Sequence, residues 1–145
     1  MNIKILNQYA KVPTHGSDWA AGYDLYAAIP EDHIMIPPHS TKKIGTGLAI
    51  EVPVNAFGGI FARSGLASKV GLRPANCVGI IDADYRGEVA VALHNDTDET
   101  RVVVNGERIA QLVVIPFLKI DDFTIINELS STERGINGFG STGMR

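Results

Sequence analysis

The sequence contains one cysteine and one tryptophan among its 145 residues, and only 7% of the chain is aromatic. A single thiol, Cys77, excludes an internal disulfide framework and a zinc site built from cysteines. A cytosolic setting is therefore the simplest interpretation. We expect Cys77 to be a buried structural thiol and not a nucleophile, because it opens the apolar run 77–81.

Long apolar runs and an excess of positive charge are also lacking. No stretch reaches the roughly 18 consecutive apolar residues that a membrane-spanning helix needs, and the first residues do not have the pattern of a secretion signal. The net charge of −3 provides no basic field that would gather duplex nucleic acid. We expect neither membrane nor nucleic-acid partners, and any nucleotide ligand should be a small molecule.

Short β-branched segments recur along the chain, separated by Pro, Gly and Asn-Asp turns. This rhythm is typical of an all-β sandwich or barrel, and a chain of this length needs only one core. One short helix is predicted at 65–70. Asn105-Gly106 is the strongest hairpin signal, because both residues tolerate positive φ. Strands are predicted at 34–36, 48–52, 60–61, 78–81, 89–93, 102–104, 109–117 and 123–126.

The end of the chain has a different composition, which divides it into a core at 1–129 and a flexible Gly-rich tail at 130–145. Tail backbone N–H groups, the Arg134 guanidinium and the Ser141 and Thr142 hydroxyls suit phosphate oxygens. A P-loop is excluded, because the lysine and the following helix are missing. A disordered tail is the alternative, although the Phe139 ring favours stacking on a base.

Two further islands combine glycine with charged or hydroxyl residues. In ARSGLASK (62–69), Arg63 and Ser64 follow a predicted strand and suit an anion, although a surface arginine in a helix cap fits equally well. In NCVGIIDADYRGEV (76–89), Asp82 and Asp84 share one face and Tyr85 takes the other if the backbone is extended. A turn would change this arrangement, and a solvated acidic hairpin loop is the alternative.

The remaining islands are AGYDLYAA (21–28) and GERIAQLVV (106–114). Gln111 interrupts an apolar strand in the second, and its amide must find hydrogen-bond partners if it is buried. The four histidines show no metal-ligand spacing. The acidic stretch 95–99 lacks the glycine and glutamate positions of a calcium loop and is expected to be a solvated turn.

Taken together and in this order, the five islands resemble the five sequence motifs of the trimeric deoxyuridine triphosphatase (dUTPase) family, and they span residues 21–143. The resemblance implies a distorted jelly-roll β-barrel and a homotrimer whose tails are exchanged between subunits. It implies hydrolysis of dUTP to dUMP and pyrophosphate, which limits uracil in DNA and supplies dUMP for thymidylate synthesis. Mg²⁺ would be bound mainly through substrate phosphates, with Asp24 near the metal network.

The resemblance also implies a role for individual residues. Asp82 matches the general base that activates the water attacking the α-phosphorus. Tyr85 looks like the ring that packs under the deoxyribose and excludes a 2′-hydroxyl. Asn76, with the backbone of Gly79 and Ile81, matches the group that reads the uracil edge. The remaining substrate contacts implied are Arg63, Ser64, Gly65 and Gln111 on the triphosphate, Phe139 over the uracil, Arg134, Ser141 and Thr142 on the β- and γ-phosphates, and Gly140 beside them in the tail.

One departure and two alternatives remain. Asn137 occupies a tail position where the family usually has glycine, and asparagine is the least costly replacement if φ is positive there. A dCTP deaminase of the same fold would need an acid beside the base, and Glu88 is available. A non-catalytic trimeric jelly-roll that binds a nucleotide or a protein partner is the other alternative.

Overall fold

The computed structural model describes residues 1–138, which form twelve strands and one short helix. The calls on Phe139, Gly140, Ser141 and Thr142 lie outside the described residues. No helix among the described residues is long and apolar enough to cross a membrane. The strands are β1 Asn2–Ile5, β2 Thr14–His15, β3 Tyr23–Tyr26, β4 His33–Ile36, β5 Thr41–Gly45, β6 Leu48–Glu51, β7 Ala56–Phe61, β8 Leu72–Pro74, β9 Gly79–Ile81, β10 Ala90–Asn95, β11 Arg101–Val104 and β12 Arg108–Pro116, and the helix is Leu66–Val70.

The strands form four antiparallel sheets around one core, in a distorted jelly-roll barrel. The largest sheet has the order β2-β3-β12-β7-β9, and a three-stranded sheet has the order β5-β10-β8. Two smaller sheets pair β4 with β11 and β1 with β6. Strand β12 lies at the centre of the largest sheet and positions the site, because β3 and β7 flank it and both lead into predicted site residues.

Alternating burial along β10 shows how the sequence fixes the inward face. Val91, Leu93 and Asn95 are buried and alternate with more accessible residues, as a period of two requires. Full burial of a valine or leucine side chain stabilises the fold by about 1.5–3 kcal/mol. The largest fully buried side chains are Leu25, Ile36, Ile44, Leu48, Ile50, Val52, Leu72, Val89, Val91, Leu93, Ile109 and Leu112.

Most of the predicted elements are confirmed, including seven of the eight strands and the helix. The strand predicted at 123–126 is wrong. That segment pairs with no strand among the described residues, and Phe123 and Ile125 are 92% and 98% exposed. A strand needs a neighbouring backbone to complete its hydrogen bonds, so apolar β-branched composition alone did not produce one.

The Asn105-Gly106 turn forms, but it does not make a hairpin. Gly106 has φ of 76°, and Glu107 N donates to the Val104 carbonyl at 3.2 Å. The flanking strands belong to different sheets, because β11 pairs with β4 whereas β12 pairs with β3 and β7. Gly106 N donates instead to the Ala27 carbonyl at 2.8 Å, so the turn docks on the segment after β3.

Candidate active site

A row of residues across the largest sheet brings three predicted islands together. Asp24 on β3 lies opposite Gln111 on β12, and Gln111 lies opposite Phe61 at the end of β7. Arg63 follows two residues after Phe61. The antiparallel register therefore places the motifs at 21–28, 62–69 and 106–114 side by side.

The Asp24 carboxylate holds two guanidinium groups. Its Oδ1 accepts a hydrogen bond from Arg63 Nε at 2.8 Å, and its Oδ2 accepts one from Arg108 Nη1 at 3.2 Å. The Asp24 side chain is only 13% exposed, so both cations are fixed against a largely buried acid. One carboxylate and two guanidinium groups leave a formal charge of +1, which suits an anionic ligand.

Gln111 completes this group of four residues, which we call the Asp24 cluster (Asp24, Arg63, Arg108 and Gln111). Its Nε2 donates to the Ala62 carbonyl at 2.9 Å, which confirms that the amide in the apolar strand finds a partner. A Cβ on Gly22 would lie 2.7 Å from Gln111 Oε1, so a larger residue there would displace the Gln111 amide. Gly22 and Gln111 line an open cleft of about 670 Å³ that also includes Phe61, Ala62 and Cys77.

Ser64 and Gly65 lie where the chain leaves β7 and enters the short helix. Ala67 N donates to the Arg63 carbonyl at 2.9 Å, and Ser68 Oγ donates to the Ser64 carbonyl at 2.5 Å. Both residues are exposed, and a Cβ built on Gly65 would meet only open space among the described residues. The backbone at this point is therefore accessible beside Arg63.

The turn between β8 and β9 presents Asn76 and leads into Gly79, the first residue of β9. Val78 N donates to the Asn76 carbonyl at 2.7 Å, and a Cβ on Gly79 would lie 3.2 Å from the Ile60 side chain. Cys77 occupies a left-handed conformation with φ of 61° and is exposed. The expectation of a buried Cys77 is therefore wrong, because the residue lies at the tip of this turn and not within strand β9.

Residues 82–85, the Asp82 turn, follow β9 directly. Tyr85 N donates to the Asp82 carbonyl at 3.1 Å, so the backbone turns here and is not extended. Asp82 and Tyr85 consequently line the same cleft of about 270 Å³, together with Ile81, Lys43 and other residues. The Tyr85 hydroxyl donates to the Glu88 carbonyl at 3.0 Å and holds the ring over this loop.

The structure thus assembles the predicted residues into two groups within one chain. The Asp24 cluster with Ser64 and Gly65 forms one group, and Asn76, Gly79, Ile81 and the Asp82 turn form the other. Arg134 contacts neither group within residues 1–138. Its Nε donates to the Asn137 carbonyl at 2.9 Å, and both residues belong to the exposed segment after β12.

Arg108 was not singled out from the sequence. It lies at a register shift in the pairing of β12 with β3, and there its guanidinium reaches Asp24. The periodicity of β12 gives no sign of this irregularity. The available signal was the charged residues of two islands, namely Asp24 in 21–28 and Arg108 in 106–114.

A bidentate ion pair lies outside the site, where Arg73 on β8 meets Asp96. Arg73 Nε and Nη2 donate to the two carboxylate oxygens at 2.7 and 2.9 Å. The hydrogen bond from Arg73 holds the pKa of Asp96 below its usual value, and the hydrogen bond to Asp96 raises the pKa of Arg73. The acidic stretch after β10 is therefore a turn stabilised by ion pairs.

The family model and the relatives that match this chain all indicate the same family. The dUTPase family model matches residues 8–143. The deoxyuridine 5'-triphosphate nucleotidohydrolase of Desulfitobacterium hafniense is 50% identical over 137 residues, which cover 92% of this chain and 88% of that protein. The enzyme of the same name from Candida albicans is 44% identical over 144 residues, 99% of this chain and 87% of that protein.

A solved structure is also similar over nearly its full length. The dUTPase of Staphylococcus bacteriophage 80alpha, solved with dUPNHPP, superposes with a TM-score of 0.85 at 29% identity and covers 99% of this chain and 98% of that one. The strand order, the Asp24 cluster and the Asp82 turn thus occur in a chain whose sequence and fold both match one family. This chain belongs to the dUTPase family.

Proposed function

We propose that this chain hydrolyses dUTP to dUMP and pyrophosphate. One observation carries the proposal: an acid, Asp82, and an aromatic ring, Tyr85, line the same cleft, and they directly follow the strand whose preceding turn presents Asn76. An acid, a ring and an amide at one place suit the reacting phosphate, the sugar and the base of a nucleotide. The named relatives act on deoxyuridine 5'-triphosphate.

The base and the sugar would be selected by the segment 76–85. The Asn76 amide and the backbone of Gly79 and Ile81 would hydrogen-bond the uracil edge. The Tyr85 ring would pack under the deoxyribose, where a 2′-hydroxyl would clash with it. This selection rests on shape and on a few fixed polar groups, as in most small-ligand sites.

The chemical step would use Asp82 as the general base. Its carboxylate takes a proton from a water molecule while the water oxygen bonds to the α-phosphorus. The bond between the α-phosphorus and the oxygen bridging to the β-phosphorus breaks, and pyrophosphate leaves with that oxygen. Placement of the water and the phosphate supplies much of the rate enhancement in such reactions.

The triphosphate would lie along the Asp24 cluster. Arg63 and Gln111, with the accessible backbone at Ser64 and Gly65, would contact its oxygens. Asp24 keeps Arg63 in place, because the 2.8 Å hydrogen bond fixes one edge of the guanidinium and leaves the other available. From the tail, Phe139 would cover the uracil, Arg134, Ser141 and Thr142 would contact the β- and γ-phosphates, and Gly140 would lie at the substrate between them.

Mg²⁺ would arrive as part of the substrate. Among the described residues no group of three or more His, Cys, Asp or Glu is placed to hold a metal ion. Both oxygens of Asp24 already accept hydrogen bonds from arginines. This donor set fits a Mg²⁺ bound through phosphate oxygens and water, with Asp24 nearby, because Mg²⁺ favours that environment over an all-protein cage. The bound ion would offset charge on the phosphates.

The active unit would be a homotrimer in which the tail of one subunit completes the site of another. Two features support this. Arg134 lies away from both site groups of its own chain, and the apolar side chains of Phe123, Ile125 and Leu129 are uncovered in the single subunit. Large exposed apolar patches commonly mark an interface. The core at 1–129 and the tail at 130–145 would thus have separate tasks.

In the cell this activity would limit uracil in DNA and provide dUMP for thymidylate synthesis. We also propose a cytoplasmic location, where nucleotide pools are maintained. A lone cysteine fits a reducing compartment.

A dCTP deaminase is the second candidate, and Glu88, which lines the same cleft as Asp82 and Tyr85, would be its acid. The hydrogen bond that this acid already accepts disfavours that role. Glu88 Oε1 accepts a hydrogen bond from Gly47 N at 2.8 Å, so this acid is engaged by the turn between β5 and β6. A non-catalytic binding role is the third. Release of pyrophosphate and of ammonia, measured with dUTP, dTTP, dCTP and UTP, separates the three. Pyrophosphate from dUTP alone supports the hydrolase, ammonia from dCTP supports the deaminase, and no turnover supports binding.

A further inference from the structure

The backbone of the Asp82 turn is held by a side chain that does not face the cleft. Arg86 Nη1 donates to the Ala83 carbonyl at 2.6 Å and to the Tyr85 carbonyl at 3.0 Å. The turn's own hydrogen bond, from Tyr85 N to the Asp82 carbonyl, is 3.1 Å long. One guanidinium nitrogen therefore fixes two of the carbonyls that determine where residues 82–85 lie.

The same guanidinium is anchored to the barrel. Arg86 Nη2 donates to Glu51 Oε1 at 3.2 Å, at the end of β6. The second oxygen of Glu51 accepts a hydrogen bond from Asn2 Nδ2 at 2.7 Å, and Asn2 and Glu51 are paired across β1 and β6. The turn that carries Asp82 and Tyr85 is thus tied to a two-stranded sheet distinct from the sheet that contains β9.

We propose that Arg86 is a positioning residue, which sets Asp82 and Tyr85 in the cleft through the backbone of the turn without touching substrate. The inference rests on the proposed function, because it assigns Arg86 to the step that Asp82 performs and to the sugar selection by Tyr85. Arginine suits the task because its planar fork donates to three acceptors in fixed directions, whereas a lysine ammonium is a single point.

Exposure distinguishes this role from a general contribution to stability. The Arg86 and Glu51 side chains are 58% and 46% exposed, and exposed ion pairs add little to the stability of a fold. Misplacement of a catalytic group by about 1 Å, in contrast, costs on the order of 10²-fold in rate. Loss of Arg86 should therefore affect turnover much more than folding.

A second signature follows from the sequence of the turn. Asp82 and Tyr85 are its first and last residues, so a shift of the turn moves both. Turnover and discrimination between dUTP and UTP should decline together when Arg86 is removed. A change of Asp82 alone would lower turnover for both nucleotides and leave their ratio in place.

The test compares Arg86→Ala with the parental chain and with Arg101→Ala. Arg101 is the control for the loss of an ion-paired arginine, because it also forms a 3.2 Å pair with a carboxylate, that of Glu99, and lies on β11 away from the turn. Its side chain is more buried than that of Arg86, at 29% against 58% exposed, so its removal is the harsher test of stability. We expect Arg86→Ala to lower kcat for dUTP by about 10- to 100-fold and to lower the dUTP-to-UTP ratio of kcat/KM. Its melting temperature should match that of the parental chain, and Arg101→Ala should keep the parental kcat and ratio.

Guanidinium added in solution provides a further readout. It should restore part of the kcat of Arg86→Ala, since it can occupy the vacated position between Ala83, Tyr85 and Glu51, and it should not rescue Asp82→Asn. Glu51→Ala, which leaves the turn contacts and removes the anchor, should show a smaller loss in the same direction.

A folded Arg86→Ala protein with parental kcat and a parental nucleotide ratio would overturn the inference and leave the proposed function intact. If Arg86→Ala does not fold, Glu51→Ala decides: reduced kcat and reduced sugar discrimination support the positioning role, and parental values for both overturn it. A parental chain that releases no pyrophosphate from dUTP would overturn the proposed function and this inference together.

Discussion

Asp24 and Arg63 are joined by a 2.8 Å hydrogen bond although 39 residues separate them in the sequence. The bond runs from Arg63 Nε to Asp24 Oδ1, and Arg108 occupies the other oxygen. The guanidinium of Arg63 is therefore oriented before any ligand arrives. Orientation of this kind lowers the entropy lost on binding and raises affinity.

Asp24→Asn tests this orientation. The change keeps the size of the side chain and removes its charge, and a hydrogen bond to a charged group contributes about 1.5–3 kcal/mol. We expect kcat/KM for dUTP to fall by about tenfold or more, mainly through a higher KM, since 1.4 kcal/mol corresponds to about tenfold. Asp98→Asn is the control, because Asp98 is exposed in the turn after β10 and pairs with His39. Equal KM values for the parental and Asp24→Asn proteins would count against the role of Asp24.

Asp82→Asn should retain binding and lose turnover. Removal of a general base lowers kcat by about 10²- to 10⁴-fold, whereas the amide keeps the size of the carboxylate. The measurements are kcat with Mg²⁺ present and the Kd of the analogue dUPNHPP by titration calorimetry. Turnover near the parental rate would show that another group accepts the proton.

Strands could be predicted where the composition of the segment itself favours a strand. Segments with several β-branched residues, such as those that became β11 and β12, are found at the predicted positions. Five strands were missed: β1, β2, β3, β5 and β8. Strands β2 and β8 contain only two and three residues. Strands β1, β3 and β5 have four or five residues in which polar and charged side chains interrupt the apolar ones, so only their partners identify them as strands. Residues 123–126 show the opposite error: a strand was predicted from their composition, but the single chain supplies no partner strand.

The site was predictable in its residues and not in its geometry. The islands identified Asp82 and Tyr85, but only the Tyr85 N–Asp82 O hydrogen bond shows that a turn puts both on one cleft. Arg86 and Arg108 were passed over because their roles depend on distant partners, Glu51 and Asp24. Such pairs arise from strand register, which a single sequence does not specify.

Tyr85→Ala should relax the choice of sugar. The ring is proposed to exclude a 2′-hydroxyl by shape, and its removal opens that space. The ratio of kcat/KM for dUTP over UTP should fall, while Tyr85→Phe, which keeps the ring and loses the hydrogen bond to the Glu88 carbonyl, should stay nearer the parental ratio. An unchanged ratio in Tyr85→Ala would remove Tyr85 from the discriminating role.

The Arg73–Asp96 pair should make stability depend on pH in acid. The hydrogen bond from Arg73 lowers the pKa of Asp96 below its usual 3.8. A lowered pKa in the folded state means that the pair contributes fully above pH 3.8 and loses its contribution as the pH falls through the lowered pKa. The gap in unfolding free energy between the parental chain and Asp96→Asn should therefore shrink in that acidic range. When Arg73 is replaced by alanine, the effect of Asp96→Asn on the unfolding free energy should no longer shrink in this way as the pH falls. An effect of constant size with Arg73 present would contradict a lowered pKa of Asp96.

The shared site can be tested with two inactive chains. Deletion of residues 130–145 should leave an assembled trimer with little activity and nearly unchanged thermal stability, because the proposed tail supplies ligand contacts and not core. Asp82→Asn should be inactive for the separate reason given above. In the proposed trimer, the Asp82 turn and the tail reach one site from different subunits.

Mixing the two chains distinguishes a shared site from a site built within one chain. After unfolding together and reassembly at equal amounts, a site is complete only when its turn comes from a truncated chain and its tail from an Asp82→Asn chain. For independent draws at a symmetric interface this occurs in one half times one half, or about a quarter, of the sites. We therefore expect recovery to about a quarter of the parental rate, measured as pyrophosphate release. A site within one chain never combines the intact turn of one variant with the intact tail of the other, so mixed trimers verified by mass that stay inactive would exclude the exchange of tails.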